Sequence, residues 1–271
     1  MSRDRVTVLA WRLAILVIFL SLWQYLTGIK AISKMPGLYW IDPFFISRPS
    51  AIASRFLYLC SDQVRLTIWQ MAWSTVQSTL WGFLVGVSTG FVAGLVLGRY
   101  DRVARILEPY IIAFNSLPRI ALVPLITMIF GFGLLAKVVL AWTIVFFIVF
   151  FNTFQGARSV DADLIHSARF LGASERQIMS TVVVPSALAW TFASLTPSIS
   201  FALISVVVGE FIGGESGGGL GYLIVQSLGT LNAADMMVAL LVLGVIGIVM
   251  ALGIKQLEAR LLRWRPEFQK R

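Results

Sequence analysis

The chain has 271 residues, 58% hydrophobic and 13% charged, with a formal net charge of +9 and a mean hydropathy of +0.85. Soluble domains carry about 25% charged residues, so too little polar surface exists to cover such a core in water, and a soluble fold is excluded. No basic stripe with interleaved aromatics occurs, so nucleic acid is not an expected partner; cations flanking membrane spans account for the charge.

Several apolar runs can each fill the roughly 20 helical residues that cross a bilayer. The alternating ten-residue strands of a barrel are absent. An all-α integral membrane protein follows, because helices satisfy their backbone hydrogen bonds in lipid. Six spans are expected, at about 8–28, 78–98, 109–130, 134–156, 187–212 and 236–256.

The N-terminal "MSRDRVTVLAWRLAILVIFLSLWQYL" has a basic start. Its apolar run is too long for a cleaved signal peptide and no small-residue cleavage site follows, so it reads as a retained first helix. In the segment 29–77, Ile52, Phe56, Leu57 and Cys60 recur at helical spacing after Pro49, which predicts a short interfacial helix. The residues after Ser61 lead a helix into the second span. Cys60 is the single cysteine, so an internal disulfide and a cysteine metal cluster are excluded.

The second span, "WGFLVGVSTGFVAGLVLG", places Gly82, Gly86, Gly90, Gly94 and Gly98 on one bare face. Such a face lets helix backbones approach closely, either as fixed packing or as a surface that slides during transport. In the third span, Pro118 and Pro124 each lack a backbone donor and can bend the helix. Asn115, Ser116 and Arg119 lie beside that bend. A cation at a helix centre costs about 2.5–3.5 kcal/mol, so Arg119 is expected as an interfacial anchor or as the lining of an anion route.

The stretch "DLIHSARFLGASERQIMSTVVVPSALAW" interrupts the apolar pattern. Asp161 can cap a helix over 162–171, with Leu164, Ile165, Ala168 and Leu171 as its apolar stripe. Gly172 is suited to terminate it. Ser174 and Gln177 then form a capping box for a second helix carrying Ile178, Met179, Val182 and Val183 on one face, ended by Pro185. Two amphipathic pieces around a glycine turn, far longer than the usual loop of about 4–6 residues, predict a docking element.

The fifth span is the most polar. Ser194, Ser198 and Ser205 fall near one helical face, Pro197 offers a kink, and Glu210 stands near one end, isolated from other charges in the spans. The serines either line a pathway or bond preceding carbonyls, and Glu210 is a functional suspect or a partner for the glycine-rich loop. That loop, "GGESGGGLGYL", lacks the GxxxxGK[ST] lysine of a phosphate cradle, so the chain carries no ATP site. A single His gives no metal site, and no Ser–His–acid set is evident, so catalysis is not expected. An intramembrane enzyme or an ion-coupled transporter would need an ionisable pair or cluster in the spans.

Orientation follows from the cations. Arg3, Arg5 and Arg12, then Arg99, Arg102 and Arg105, then Arg158, Arg169 and Arg176, and finally Lys255, Arg260, Arg263, Arg265, Lys270 and Arg271 share one side of a six-span chain. That side holds roughly fifteen cations, so it is expected to be cytoplasmic, with both termini and the docking element. Lys30, Lys34, Arg48, Arg55 and Arg65 fall on the other side.

The docking element resembles the EAA loop of membrane subunits of ATP-binding-cassette importers, with His166, Ser167, Ala168, Gly172 and Pro185 at the matching positions. His166 stands where the pattern has Glu, and Ser167 where it has the first Ala. "SLPRIALVPLITMIFGFG", "NTFQGARSVDADLI" and "GEFIGGESGGGLGYLI" are similar to segments of the nitrate/sulfonate/taurine branch. The resemblance, over roughly residues 45–256, implies a type I (MetI-like) permease of a bacterial inner membrane. It implies a homodimer of the permease, a dimer of ATPase subunits that hold ATP and Mg, and an extracytoplasmic solute-binding protein. Coupling to the ATPase would fall to His166, Ser167, Ala168, Leu171, Gly172, Ala173, Ser174 and Pro185. The implied organisation is an N-terminal helix and extracytoplasmic segment over 1–68, a transport domain over 69–256 and a basic cytoplasmic tail over 257–271. Substrates of the branch include inorganic anions, sulfonates and vitamin precursors.

Overall fold

The computed structural model describes residues 3–29, 38–61 and 63–262. Lys30, Lys34 and the tail cations Arg263, Arg265, Lys270 and Arg271 lie outside the described residues. Among the described residues five helices are long and apolar enough to span a bilayer, or six with one bent pair taken as a single span. No strand occurs among the described residues. The all-α type expected from composition is therefore observed.

The chain divides into two compact units, one of Met1–Met71 with Leu223–Leu243 and one of Ala72–Tyr222 with Gly244–Arg271. The first unit begins with α1, Arg3–Leu26. Asp42 caps α2, Pro43–Ile46, by accepting from the Phe44 N–H at 2.9 Å. Proline opens α3, Pro49–Cys60, where its missing donor costs nothing. The Gln24 side chain ties α1 to α3 through both the backbone N–H and the hydroxyl of Ser50, each at 3.0 Å. Arg55 of α3 donates from Nε and Nη2 to the two carboxylate oxygens of Asp235, at 2.6 and 2.7 Å. That bonding pushes the guanidinium pKa up. The predicted apolar stripe of α3 needs correction. Ile52 and Leu59 are buried while Leu57 is exposed, because the inward face runs from Ile52 to the residue two turns on.

The second unit is built around α7, Leu134–Arg158. Helix α4, Ile68–Arg99, lays its glycine face on α7. A Cβ built at Gly86 would sit 2.6 Å from Val145 Cβ, one at Gly90 2.7 Å from the Phe146 carbonyl, and one at Gly94 2.6 Å from the Phe150 carbonyl. The bare face is thus occupied by packing within the chain. Helix α10, Val184–Gly217, which breaks at Gly214, packs on α7 as well. Val145, Val149, Ile199, Ala202 and Val206 form the apolar centre between α7 and α10. The Thr153 and Thr191 hydroxyls meet across it at 2.7 Å.

The third expected span is broken rather than merely bent. Helix α5, Asp101–Ser116, and helix α6, Val123–Phe130, are joined by a 3-10 turn and bend by 81°. Leu117 is extended, at φ −66° and ψ 130°, as a residue before proline must be, and Pro118 then has no N–H to continue α5. The remaining elements are α8, Ala162–Phe170, α9, Glu175–Ile178, α11, Leu220–Gly229, and α12, Ala233–Leu261.

A further expectation fails at Pro185. The second piece of the docking element does not end there: α9 runs through a π turn, Met179–Val183, directly into α10. The wider turn removes the clash of the proline ring with the preceding turn, so the helix continues as one 40-residue element, Glu175–Gly214.

Candidate functional site

Two places in the second unit gather the predicted residues. The first is the turn between α8 and α9. Asp161 caps α8 by accepting from the Asp163 N–H at 2.9 Å. At its far end the Gly172 N–H donates to the Arg169 carbonyl at 2.9 Å and the Ala173 N–H to the Ala168 carbonyl at 3.0 Å. These paired bonds, with Gly172 at φ 85°, form the Schellman stop that a glycine permits. Ser174 and Gln177 complete the expected capping box.

This turn has two faces. Ile165, Ala168, Ala173 and Met179 pack on the cluster of Ala157, Ile178, Val183 and Ala187. Phe170 and Leu171 project outward, 92% and 89% exposed. His166, Ser167, Gly172 and Ser174 are exposed as well, and Pro185 is half-buried. Leu164 and Leu171, expected in the inward stripe, instead face out, since a nine-residue helix seats only one narrow row. Glu175 anchors the turn, accepting from Arg169 Nε at 2.8 Å and from Arg99 Nη2 at the end of α4.

The second place is a cavity of about 460 Å³ between the break after α5, α7 and α10. It is lined by Arg119, by Ser205 and by apolar side chains that include Val123, Ile144, Ile148, Val208 and the aromatic Phe201. Arg119 Nη2 donates to Asn115 Oδ1 at 2.6 Å, and the guanidinium lies 5.1 Å over the Phe147 ring. Asn115, Arg119 and Ser205 are therefore brought together. The other candidates are not. Ser194 and Ser198 are 2% and 0% exposed and donate to the Thr191 and Ser194 carbonyls, each at 2.7 Å. Ser116 donates to the Ile112 carbonyl at 2.8 Å.

Sequence reasoning missed Lys137 and misjudged Glu210 as isolated. Lys137 Nζ lies 3.3 Å from Glu210 Oε1 and donates to Ser74 Oγ at 2.8 Å. Thr75 Oγ1 donates to both Glu210 oxygens, at 2.9 and 3.0 Å, and accepts from the Leu220 N–H at 3.0 Å. The Gly221 N–H donates to Glu210 Oε2 at 2.9 Å. Glu210 thus caps α11, satisfying donors that an N-terminus leaves bare. A Cβ at Gly219 would fall on its carboxylate, which explains the glycine at that position. A lone lysine inside an apolar run was the available signal. Among the described residues no group of His, Cys, Asp and Glu could hold a metal ion.

Residues 86–263 match the family described as binding-protein-dependent transport system inner membrane component. A putative aliphatic sulfonates transport permease protein of Bacillus subtilis strain 168 is 31% identical over 69% of this chain and 67% of its own. The taurine transport system permease protein of Escherichia coli strain K12 is 28% identical over 94% and 89%. The riboflavin transport system permease protein of Chloroflexus aurantiacus is 30% identical over 82% and 81%. In structure, a chain of the inward-facing MetNI methionine ABC transporter superposes with a TM-score of 0.61 at 21% identity, covering 70% of this chain and 94% of that one. This likeness shows the fold alone, that of a type I permease.

Proposed function

From the premise that the chain belongs to the binding-protein-dependent transport inner membrane component family, and is an importer permease, we infer how it is driven and what it carries. The turn from α8 through Gly172 to α9 docks on a separate ATPase subunit, which holds the ATP and Mg. A dimer of those ATPases faces a homodimer of this chain in a bacterial inner membrane. A solute-binding protein delivers substrate from the opposite, extracytoplasmic side. Both termini face the cytoplasm, in keeping with the cation bias. Residues 1–68 are an addition to a transport domain over 69–256, and 257–271 form a basic tail.

The observation that carries the coupling reading is the pair Phe170 and Leu171. Two large apolar side chains stand almost wholly exposed on a turn whose other face is packed, and water does not favour that arrangement. The rigid path from the turn is continuous: α9, the π turn and α10 form one helix. Movement of an ATPase against Phe170 and Leu171 would be delivered along α10 to the cavity at Ser205. A small anion of the nitrate, sulfonate or taurine type is the favoured cargo class. A vitamin precursor is the alternative, given relatives named for either. An intramembrane enzyme or an ion-coupled transporter fits less well, because the Lys137–Glu210 pair is spent on helix capping.

The test is a cross-link. With Cys60 replaced by Ser, Leu171→Cys is the only thiol in the chain, and it is expected to cross-link to the ATPase subunit in the intact complex. Absence of that product, with Leu57→Cys equally unreactive toward the ATPase, would remove the coupling assignment.

A further inference from the structure

We propose, resting on the importer reading, that the cavity at Arg119 is a binding site for a small organic anion with an aliphatic body. Its oxyanion head is held by Arg119 and Ser205. The donors are already in place and incompletely used. Asn115 takes one Nη2 bond and the Phe147 face backs the guanidinium, so the plane of the group is set. Arg119 Nε is buried and has no hydrogen-bond partner among the described residues. A buried donor left unpaired is costly, and a guanidinium edge matches an oxyanion. Ser205 is 7% exposed; its hydroxyl takes no hydrogen bond among the described residues, unlike those of Ser194 and Ser198 on the same helix.

The walls decide the rest of the ligand. Val123, Ile144, Ile148, Ile204 and Val208 are aliphatic and Phe201 adds one aromatic face, and a volume of about 460 Å³ lies within the usual range for small-molecule pockets. Among the described residues no carboxylate lines the cavity. An ammonium group on the ligand would therefore be desolvated without a partner, which disfavours zwitterions. An uncharged heterocycle would leave Arg119 Nε unsatisfied. An alkanesulfonate meets all three conditions.

The experiment is calorimetric titration of the full chain in lipid nanodiscs with butane-1-sulfonate, taurine and butan-1-ol. Butane-1-sulfonate is expected to bind, and taurine and butan-1-ol to bind at least about tenfold more weakly, the loss expected for one charged hydrogen bond. Arg119→Gln should weaken butane-1-sulfonate by about tenfold or more, and Ser205→Ala by less. Ile148→Trp should abolish binding by filling the cavity without altering charge. If Arg119→Gln fails to fold, the Ser205 and Ile148 variants decide. Binding of butan-1-ol or taurine as tight as that of the sulfonate, or an undiminished affinity in Ile148→Trp, would overturn the proposal. The titration needs no ATPase, so its failure leaves the coupling reading standing, and a failed cross-link at Leu171 leaves this site standing.

Discussion

Lys137 and Glu210 meet 3.3 Å apart, with side chains 5% and 0% exposed, and, 73 residues apart in sequence, join α7 to α10. The pair does two things at once. It neutralises a carboxylate inside an apolar bundle, and it lets that carboxylate cap α11 through Gly221. Removing one partner of a buried pair leaves an uncompensated charge, which costs about 3–5 kcal/mol. Lys137→Met should therefore lower the thermal midpoint of the purified chain sharply. Glu210→Gln combined with Lys137→Met should recover most of the loss, because the amide keeps an acceptor for the Gly221 N–H. Equal destabilisation by the single and double variants would contradict this account.

The glycine face of α4 makes a second prediction. At Gly94 a Cβ would stand 2.6 Å from the Phe150 carbonyl, which belongs to backbone and cannot yield cheaply. Gly94→Ala should destabilise by about 1–3 kcal/mol, the usual cost of overpacking. Gly244, in α12, meets nothing within 4 Å. There the same change should be stabilising by about 0.5–1 kcal/mol through reduced backbone entropy loss. Thermal unfolding in one detergent compares the two, and a loss at both positions would show that the close contact is not the cause.

Ser194, Ser198 and Ser205 should separate by uptake. The first two hydroxyls are used within the helix, so Ser194→Ala and Ser198→Ala are expected to leave transport in vesicles unchanged. Ser205→Ala, at the cavity, is expected to reduce it. Reduced transport in the first two variants would place the path along the whole face.

These residues also show what was legible in the sequence. Local rules were readable: Gly172, the box of Ser174 and Gln177, and the Gly82–Gly98 repeat each carry their geometry in spacing alone. Three features were not. Ser194, Ser198 and Ser205 share a helical face, and only the neighbours opposite them differ. The π turn before Pro185 leaves no composition signal, because any residue fits it. Lys137 at the head of α7 reads as an interfacial cation until Glu210 is placed beside it. The last miss concerns a partner 73 residues away in sequence, which periodicity cannot register.

The central claim is that the turn at Gly172 transmits ATPase movement, and its conformation allows a direct measurement. Gly172 has φ 85° with nothing within 4 Å of a built Cβ, so a substitution acts through backbone strain and not through a clash. A non-glycine residue there costs about 1–2 kcal/mol, and Asn bears the conformation better than a β-branched residue. Solute-stimulated ATP hydrolysis by the reconstituted complex should fall strongly in Gly172→Val and survive largely in Gly172→Asn, with basal hydrolysis by the ATPase unaltered. Full stimulation in Gly172→Val would contradict the account.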